Sequence, residues 1–108
     1  MRVIVTGCSS GIGLATAVLL ARRGDQVVAG VRDPAGADEL RGTPATERLP
    51  VEVIALDVAD RASVDVGVAQ ALDALGGLDA LVNNAGISQL AAVEDLREAD
   101  ALALVQTN

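Results

Sequence analysis

The fold of this chain is decided by the stretch Val3-Ile4-Val5-Thr6-Gly7-Cys8-Ser9-Ser10-Gly11-Ile12-Gly13. Its apolar start predicts a short buried strand, and a helical pattern opens at its end. A strand that turns through glycines into a helix gathers free backbone N–H groups at the positive end of the helix dipole. Three glycines can also serve only to make a tight turn, so the cluster alone is weak evidence. We interpret the stretch as a phosphate-binding turn.

The composition restricts the function classes open to the chain. Its 108 residues, 51% of them hydrophobic, fit one domain at most. A net charge of −7 and the absence of aromatic residues argue against a nucleic-acid partner. We expect no membrane segment and a cytoplasmic location, because long apolar runs and a leader are missing and Cys8 is the single cysteine. Cys8 is interpreted as a packing residue, since no histidine is present to activate it, and no metal site is predicted.

Strands and helices alternate along the chain, which predicts a parallel sheet with helices on both faces. We expect strands at residues 2–5, 26–31, 51–56 and 79–83. Helices are expected at residues 12–23, from Pro34 to 40 or 41, from a cap at Asp60 to 75, and from about 93–95 through the last residue. Residues 42–50 are expected to form a mobile loop. Right-handed crossovers then give the strand order 3-2-1-4, one half of a doubly wound α/β fold of the Rossmann type.

Two motifs in the chain resemble those of one protein family. The general dinucleotide fingerprint G-x-G-x-x-G is absent, but Thr6 to Gly13 reads T-G-x-x-x-G-x-G. Residues 83–86 read N-N-A-G directly after the fourth predicted strand, at the sheet edge where such folds bind ligands. The chain is identified as similar to the short-chain dehydrogenase/reductase family, in its compact branch. The resemblance covers the whole chain but less than half of the full family domain.

The resemblance implies a set of coenzyme-binding positions. Residues 84–86 would line the adenosine ribose, while Asn83 would tie the central strands together. Asp57 would accept a hydrogen bond from the adenine amino group, with Val58 beside the base, although Asp57 alone reads equally well as a loop acid. Together with the glycine turn and Arg32, the expected binding residues are Gly7, Ser9, Ser10, Gly11, Ile12, Gly13, Arg32, Asp57, Val58, Asn83, Asn84, Ala85 and Gly86.

The end of the second strand bears on the choice of coenzyme. An acid about 20 residues past the glycines would bind the ribose 2′-hydroxyl of NAD, whereas an arginine accommodates the 2′-phosphate of NADP. Val31 occupies the place of that acid, and Arg32 follows it. We therefore predict NADP(H) in preference to NAD(H). In the competing interpretation, Asp33 is the ribose acid, or a plain helix cap beside a solvated Arg32.

The resemblance implies one catalytic position and leaves others outside the chain. Asn108 matches the family's asparagine that helps hold a water in the proton relay, with Thr107 where an apolar residue is usual. The tyrosine and lysine of the family's Tyr-x-x-x-Lys have no counterpart, because the chain contains neither residue type. The implied parent is an oxidoreductase that moves hydride between nicotinamide and a small carbonyl or alcohol substrate, as a homo-oligomer.

Three interpretations of the chain stay open at this point. In the first, residues 1–108 are the N-terminal portion of a single NAD(P)-binding domain, inactive without its catalytic half. In the second, the chain is a natural truncated relative, either a nucleotide-binding module or a remnant. In the third, it is another Rossmann-type binder, such as an epimerase-like protein or a methyltransferase. The sequence does not identify the substrate.

Overall fold

The computed structural model describes the backbone of residues 1–108 and every side chain except those of residues 43–47. Four strands alternate with four α-helices along the chain. Their bounds are β1 (Arg2–Thr6), α1 (Gly11–Arg22), β2 (Gln26–Val31), α2 (Asp38–Glu47), β3 (Val51–Ala55), α3 (Arg61–Leu75), β4 (Ala80–Val82) and α4 (Glu98–Thr107). Short 3₁₀ turns precede α2 and α4, at Pro34–Gly36 and Val93–Asp95.

The four strands form one parallel sheet in the order β3-β2-β1-β4, as predicted. The register places Ile4 of β1 between Val28 of β2 and Leu81 of β4. All connections between parallel neighbours therefore cross over the sheet, which carries helices on its two faces. The fold is the α/β architecture of the Rossmann type that the sequence predicted.

The strand residues alternate between two apolar cores, one on each face of the sheet. Val3, Val5 and Val27 contribute to the core that also contains Ala17 of α1. Ile4 and Val28 contribute to the other core, which contains Ala71 of α3. Because β1 and β2 are buried on both faces, they read as continuous apolar runs in the sequence. The sheet thus holds the carboxyl ends of its strands in fixed relative positions.

Two expectations about the connection from β2 to β3 are wrong. The single helix expected from Pro34 is instead a 3₁₀ turn followed by α2, and α2 extends to Glu47 where a loop was expected from Gly42. Leu40 is fully buried and anchors α2 against the first core, so burial outweighs the cost of about 1 kcal/mol that a helical glycine carries. The side chain of Pro44, on which the loop prediction also rested, lies outside the described side chains.

The side of the sheet beyond β4 carries less packing than the other side. Leu81 of β4 is 51% exposed, and α4 contains no buried residue. Among the helices that the structure describes, none is both long and apolar enough to cross a bilayer.

Candidate nucleotide-binding site

A cleft of about 370 Å³ opens where the four strands end. One wall segment follows each strand: Gly7 follows β1, Arg32 follows β2, Leu56 follows β3 and Asn84 lies just after β4. In parallel sheets flanked by helices, ligands bind at this edge. The residues that line the cleft are Gly7, Ser9, Ser10, Ile12, Gly13, Arg32, Leu56, Val58, Asn84, Ala85, Gly86, Ile87 and Thr107.

The glycine turn forms the floor of the cleft through close backbone contacts. Gly7 has a φ of 70°, and a Cβ there would lie 2.7 Å from the Cα of Ala85. A Cβ on Gly13 would overlap the carbonyl oxygen of Gly7 and the Nδ2 atom of Asn84. Both positions therefore require glycine if β1, α1 and the segment after β4 are to meet.

The start of α1 leaves hydrogen-bond donors at the cleft. The first N–H groups of a helix have no partner within the helix, and side chains at the N-cap often satisfy them. Ser10 is the N-cap of α1, yet its hydroxyl makes no capping hydrogen bond. The first-turn N–H groups beside Ile12 and Gly13, together with the exposed hydroxyls of Ser9 and Ser10, are therefore suited to bind an anion.

Thr6 and Asn84 join the glycine turn to the segment after β4. The Thr6 hydroxyl oxygen accepts hydrogen bonds from the backbone N–H of Asn84 at 3.1 Å and of Ala85 at 3.0 Å. The Nδ2 group of Asn84 donates to the carbonyl oxygens of Thr6 at 3.0 Å and Gly7 at 3.2 Å. The side chain that ties the central strands is therefore that of Asn84. The assignment of this task to Asn83, which is exposed and does not line the cleft, is corrected.

The two residues after β2 that could bind the ribose, Arg32 and Asp33, have different environments in the structure. Arg32 lines the cleft and is exposed there. Asp33 does not line it, and its Oδ1 atom accepts a hydrogen bond from the Ala35 N–H at 3.0 Å as the N-cap of the 3₁₀ turn. The structure thus brings the arginine to the cleft and uses the neighbouring acid as a cap.

The end of β3 contributes apolar wall to the cleft. Leu56 and Val58 line it, whereas Asp57 does not. The Oδ1 atom of Asp57 accepts a hydrogen bond from the Ala59 N–H at 3.0 Å, and the Asp57 N–H donates to the Ser63 hydroxyl at 2.9 Å. One carboxylate oxygen of Asp57 is therefore used to shape the loop before α3.

The end of α4 is attached to the cleft wall by Asn108. The side-chain Oδ1 atom accepts a hydrogen bond from the Ile87 N–H at 2.9 Å, and Nδ2 donates to the Ile87 carbonyl at 2.9 Å. Asn108 itself does not line the cleft, but Thr107 does. Sequence reasoning missed Leu56, Ile87 and Thr107 as wall residues. Of these three, only Thr107 had been named from the sequence, and only as the residue that precedes Asn108.

Cys8 lies beneath the glycine turn, away from the cleft surface. Its side chain is fully buried, and the thiol donates to the Val5 carbonyl at 3.1 Å. Burial raises the pKa of the Cys8 thiol to about 12, which keeps it protonated and unreactive near neutral pH. The structure agrees with the interpretation of Cys8 as a packing residue.

Comparisons with known proteins identify the family of this chain. A family model for short chain dehydrogenases matches residues 1–108. The gluconate 5-dehydrogenase of Gluconobacter oxydans is 38% identical over 107 residues, which cover 99% of this chain and 42% of that relative.

Two solved structures resemble this one along almost its whole length. A variant of the actinorhodin polyketide ketoreductase, crystallised with NADPH, has a TM-score of 0.89 and 30% identity, over 97% of this chain and 40% of its own. A short chain dehydrogenase from Burkholderia cenocepacia, in complex with NADP, has a TM-score of 0.86 and 34% identity, over 98% of this chain and 44% of its own. The chain spans less than half the length of these relatives. It belongs to the short-chain dehydrogenase family.

Proposed function

We propose that this chain forms the coenzyme-binding part of an NADP(H)-dependent oxidoreductase. The observation that carries the proposal is the single cleft in which the glycine turn, Arg32 and the backbone of residues 84–86 meet. A dinucleotide offers a pyrophosphate, a ribose and a base, and the cleft offers a matching group for each. In this proposal residues 1–108 belong to one Rossmann domain.

The glycine turn fits the pyrophosphate of the coenzyme. The N–H groups at the start of α1 lack capping partners, and the helix dipole places positive potential at the same spot. The close contact of Gly13 with Gly7 leaves no side chain in the way of the phosphates. Gly7, Gly11 and Gly13 shape the turn, while Ser9, Ser10 and Ile12 offer hydroxyl and backbone donors.

Arg32 fits a phosphate on the adenosine ribose. Its guanidinium carries a permanent positive charge in a fork that matches phosphate oxygens. Asp33, the alternative ribose ligand, is engaged with the Ala35 N–H and lies outside the cleft lining. The relatives crystallised with NADPH and with NADP support the same choice of coenzyme.

The remaining wall fits the adenosine. Val58 and Leu56 give the base an apolar surface. In this proposal Asp57, which stands between them in the chain but outside the lining, turns its second carboxylate oxygen to the adenine amino group. Ala85 and Gly86 expose backbone to the ribose. Asn84 acts by holding this segment on β1, since its amide nitrogen is already bonded there.

The bound coenzyme would supply the hydride, and this chain's residues would hold and orient it. In this proposal the proton comes from another part of the enzyme, because the chain has no tyrosine, lysine or histidine. Asn108 fits a positioning role in that proton path. The carbonyl or alcohol substrate, the homo-oligomeric state and the cytoplasmic location belong to the same proposal.

The coenzyme choice is tested by replacing Arg32 with alanine and measuring the dissociation constants of NADPH and NADH by saturation-transfer NMR. Loss of a charged hydrogen bond should weaken NADPH binding by about 10- to 100-fold, with much less effect on NADH. Arg41→Ala is the matched control, because Arg41 is exposed and lies outside the cleft. Equal losses of affinity for the two coenzymes would contradict the proposed preference for NADP(H). If the chain bound S-adenosylmethionine and neither coenzyme, the proposed oxidoreductase function would be wrong.

A further inference from the structure

The connection from β3 to α3, residues 56–60, is held by hydrogen bonds that centre on Asp57. The Asp57 N–H donates to the Ser63 hydroxyl oxygen at 2.9 Å, and the Asp57 carbonyl oxygen accepts from the Asp60 N–H at 3.1 Å. The Oδ1 atom accepts from the Ala59 N–H at 3.0 Å. Among the side chains that the structure describes, none gives the Oδ2 atom of Asp57 a partner, so this atom is available to a ligand.

Ser63 occupies a fixed place relative to β3. It is the third residue of α3, and its side chain is half-buried. The helix packs directly on the end of β3, since a Cβ on Gly67 would lie 2.8 Å from the carbonyl oxygen of Ala55. The Ser63 hydroxyl is therefore carried by an element whose backbone is already in contact with the strand that leads to Asp57.

The Ser63 hydroxyl does not serve as the cap of its own helix. A serine at a helix start commonly satisfies the free N–H groups of the first turn. In α3 the Asp60 carboxylate does this, because its Oδ1 atom accepts from the N–H groups of Ala62 and Ser63. The hydroxyl instead reaches back six residues to the Asp57 N–H and restrains the peptide plane from which the Asp57 side chain projects.

We propose that Ser63 is a positioning residue that makes the cleft selective for a purine with an exocyclic amino group. Ser63 does not line the cleft, so it acts through Asp57, whose backbone it holds. An ionised carboxylate only accepts hydrogen bonds, and its free Oδ2 atom therefore favours a base that offers a donor. The inference rests on the proposed function, since it requires a dinucleotide in the cleft.

The test measures dissociation constants by saturation-transfer NMR for NADPH and for its analogue in which hydrogen replaces the adenine amino group. The unaltered chain should bind NADPH about tenfold more tightly than the analogue, the effect of one charge-assisted hydrogen bond. Ser63→Val should weaken NADPH about three- to tenfold and the analogue less than about twofold. Ser63→Thr has the shape of valine but keeps the hydroxyl, so both constants should stay within about twofold of wild type.

Asp60→Ala is the matched control at the same helix start. It removes the cap bonds to the Ala62 and Ser63 N–H groups but leaves the backbone N–H that donates to Asp57. A variant that only loosens this helix start should change the dissociation constants of NADPH and the analogue by the same factor. The ratio of the two constants therefore separates positioning of Asp57 from general stability.

The outcomes also separate this inference from the function beneath it. If the unaltered chain binds NADPH but Ser63→Val leaves the ratio of the two constants unchanged, the inference is wrong and the proposed function stands. If the unaltered chain binds neither ligand, both fail. Ser63→Ala replaces the valine variant should that variant not fold. In an Asp57→Ala background, removal of the Ser63 hydroxyl should not weaken NADPH further, and an undiminished loss there would overturn the inference.

Discussion

Substitution of Gly13 by alanine tests the packing on which the cleft depends. The added methyl group would overlap the Gly7 carbonyl oxygen and the Asn84 amide nitrogen, and the first of these is backbone that cannot move aside by rotating. Alanine gains about 1 kcal/mol over glycine in a helix, whereas an extra methyl forced into a packed site costs about 1–3 kcal/mol. Because the overlap involves backbone, we expect a net loss of about 2 kcal/mol in the free energy of unfolding.

This loss is large enough to measure by thermal unfolding. For a domain of this size it corresponds to a fall in melting temperature of about 10 °C. Far-UV circular dichroism is the suitable assay, since the chain contains no tryptophan or tyrosine. We also expect the variant to bind NADPH at least about tenfold more weakly, because the phosphate-binding turn must shift.

Gly42→Ala is the matched control for this experiment. Gly42 lies in α2, and a Cβ there would meet none of the described neighbouring atoms within 4 Å. The same substitution should therefore stabilise the chain by about 0.5–1 kcal/mol. If Gly13→Ala melted at or above the wild-type temperature and bound NADPH normally, the close contact of Gly13 with Gly7 would not exist as described.

Three further predictions concern the sheet, a helix cap and catalysis. Hydrogen bonds from Arg2, first from its side chain and then from its backbone N–H, lower the pKa of Asp79 to about 2. The pair therefore stabilises the fold fully at pH values above the ordinary carboxyl pKa of about 3.9. The melting temperature of Asp79→Asn should lie below that of wild type by its largest amount at neutral pH, and this difference should shrink from about pH 4 towards pH 2. A difference that stays constant over this pH range would contradict the pairing. Asp60→Ala removes the cap bonds to the Ala62 and Ser63 N–H groups and should cost about 1 kcal/mol in urea unfolding, whereas Asp60→Asn should cost much less. The 108-residue chain alone should not oxidise NADPH with any carbonyl substrate, and turnover that survives repurification would show that it carries its own proton donor.

The sequence predicted the sheet and the glycine turn because their signals are local. The apolar runs that form β1 and β2, and the glycines between β1 and α1, specify their conformation without help from distant residues. The extent of α2 was not predictable in this way. Gly42 is a local breaker signal, and the tertiary burial of Leu40 in the first core outweighs it.

The details of the cleft depend on which way individual side chains face. Asn83 and Asn84 are adjacent residues, and successive side chains at a strand end point to opposite sides, so an offset of one residue exchanges their roles. The sequence does not reveal that offset, and the structure assigns the strand contact to Asn84. Ile87 and Thr107 line the same cleft because Asn108 attaches the end of α4 to the Ile87 backbone, a contact that no local pattern encodes.

The central claim is that the glycine turn and the segment after β4 hold one NADPH molecule between them. A titration of the ¹⁵N-labelled chain with NADPH, followed by amide chemical shifts, tests this most directly. We expect the largest shifts at residues 7–13 and 85–87, with the amide of Asp79 at the opposite end of the sheet unmoved. Saturable binding that shifted Asp79 and left residues 7–13 in place, or no binding at all, would contradict the claim.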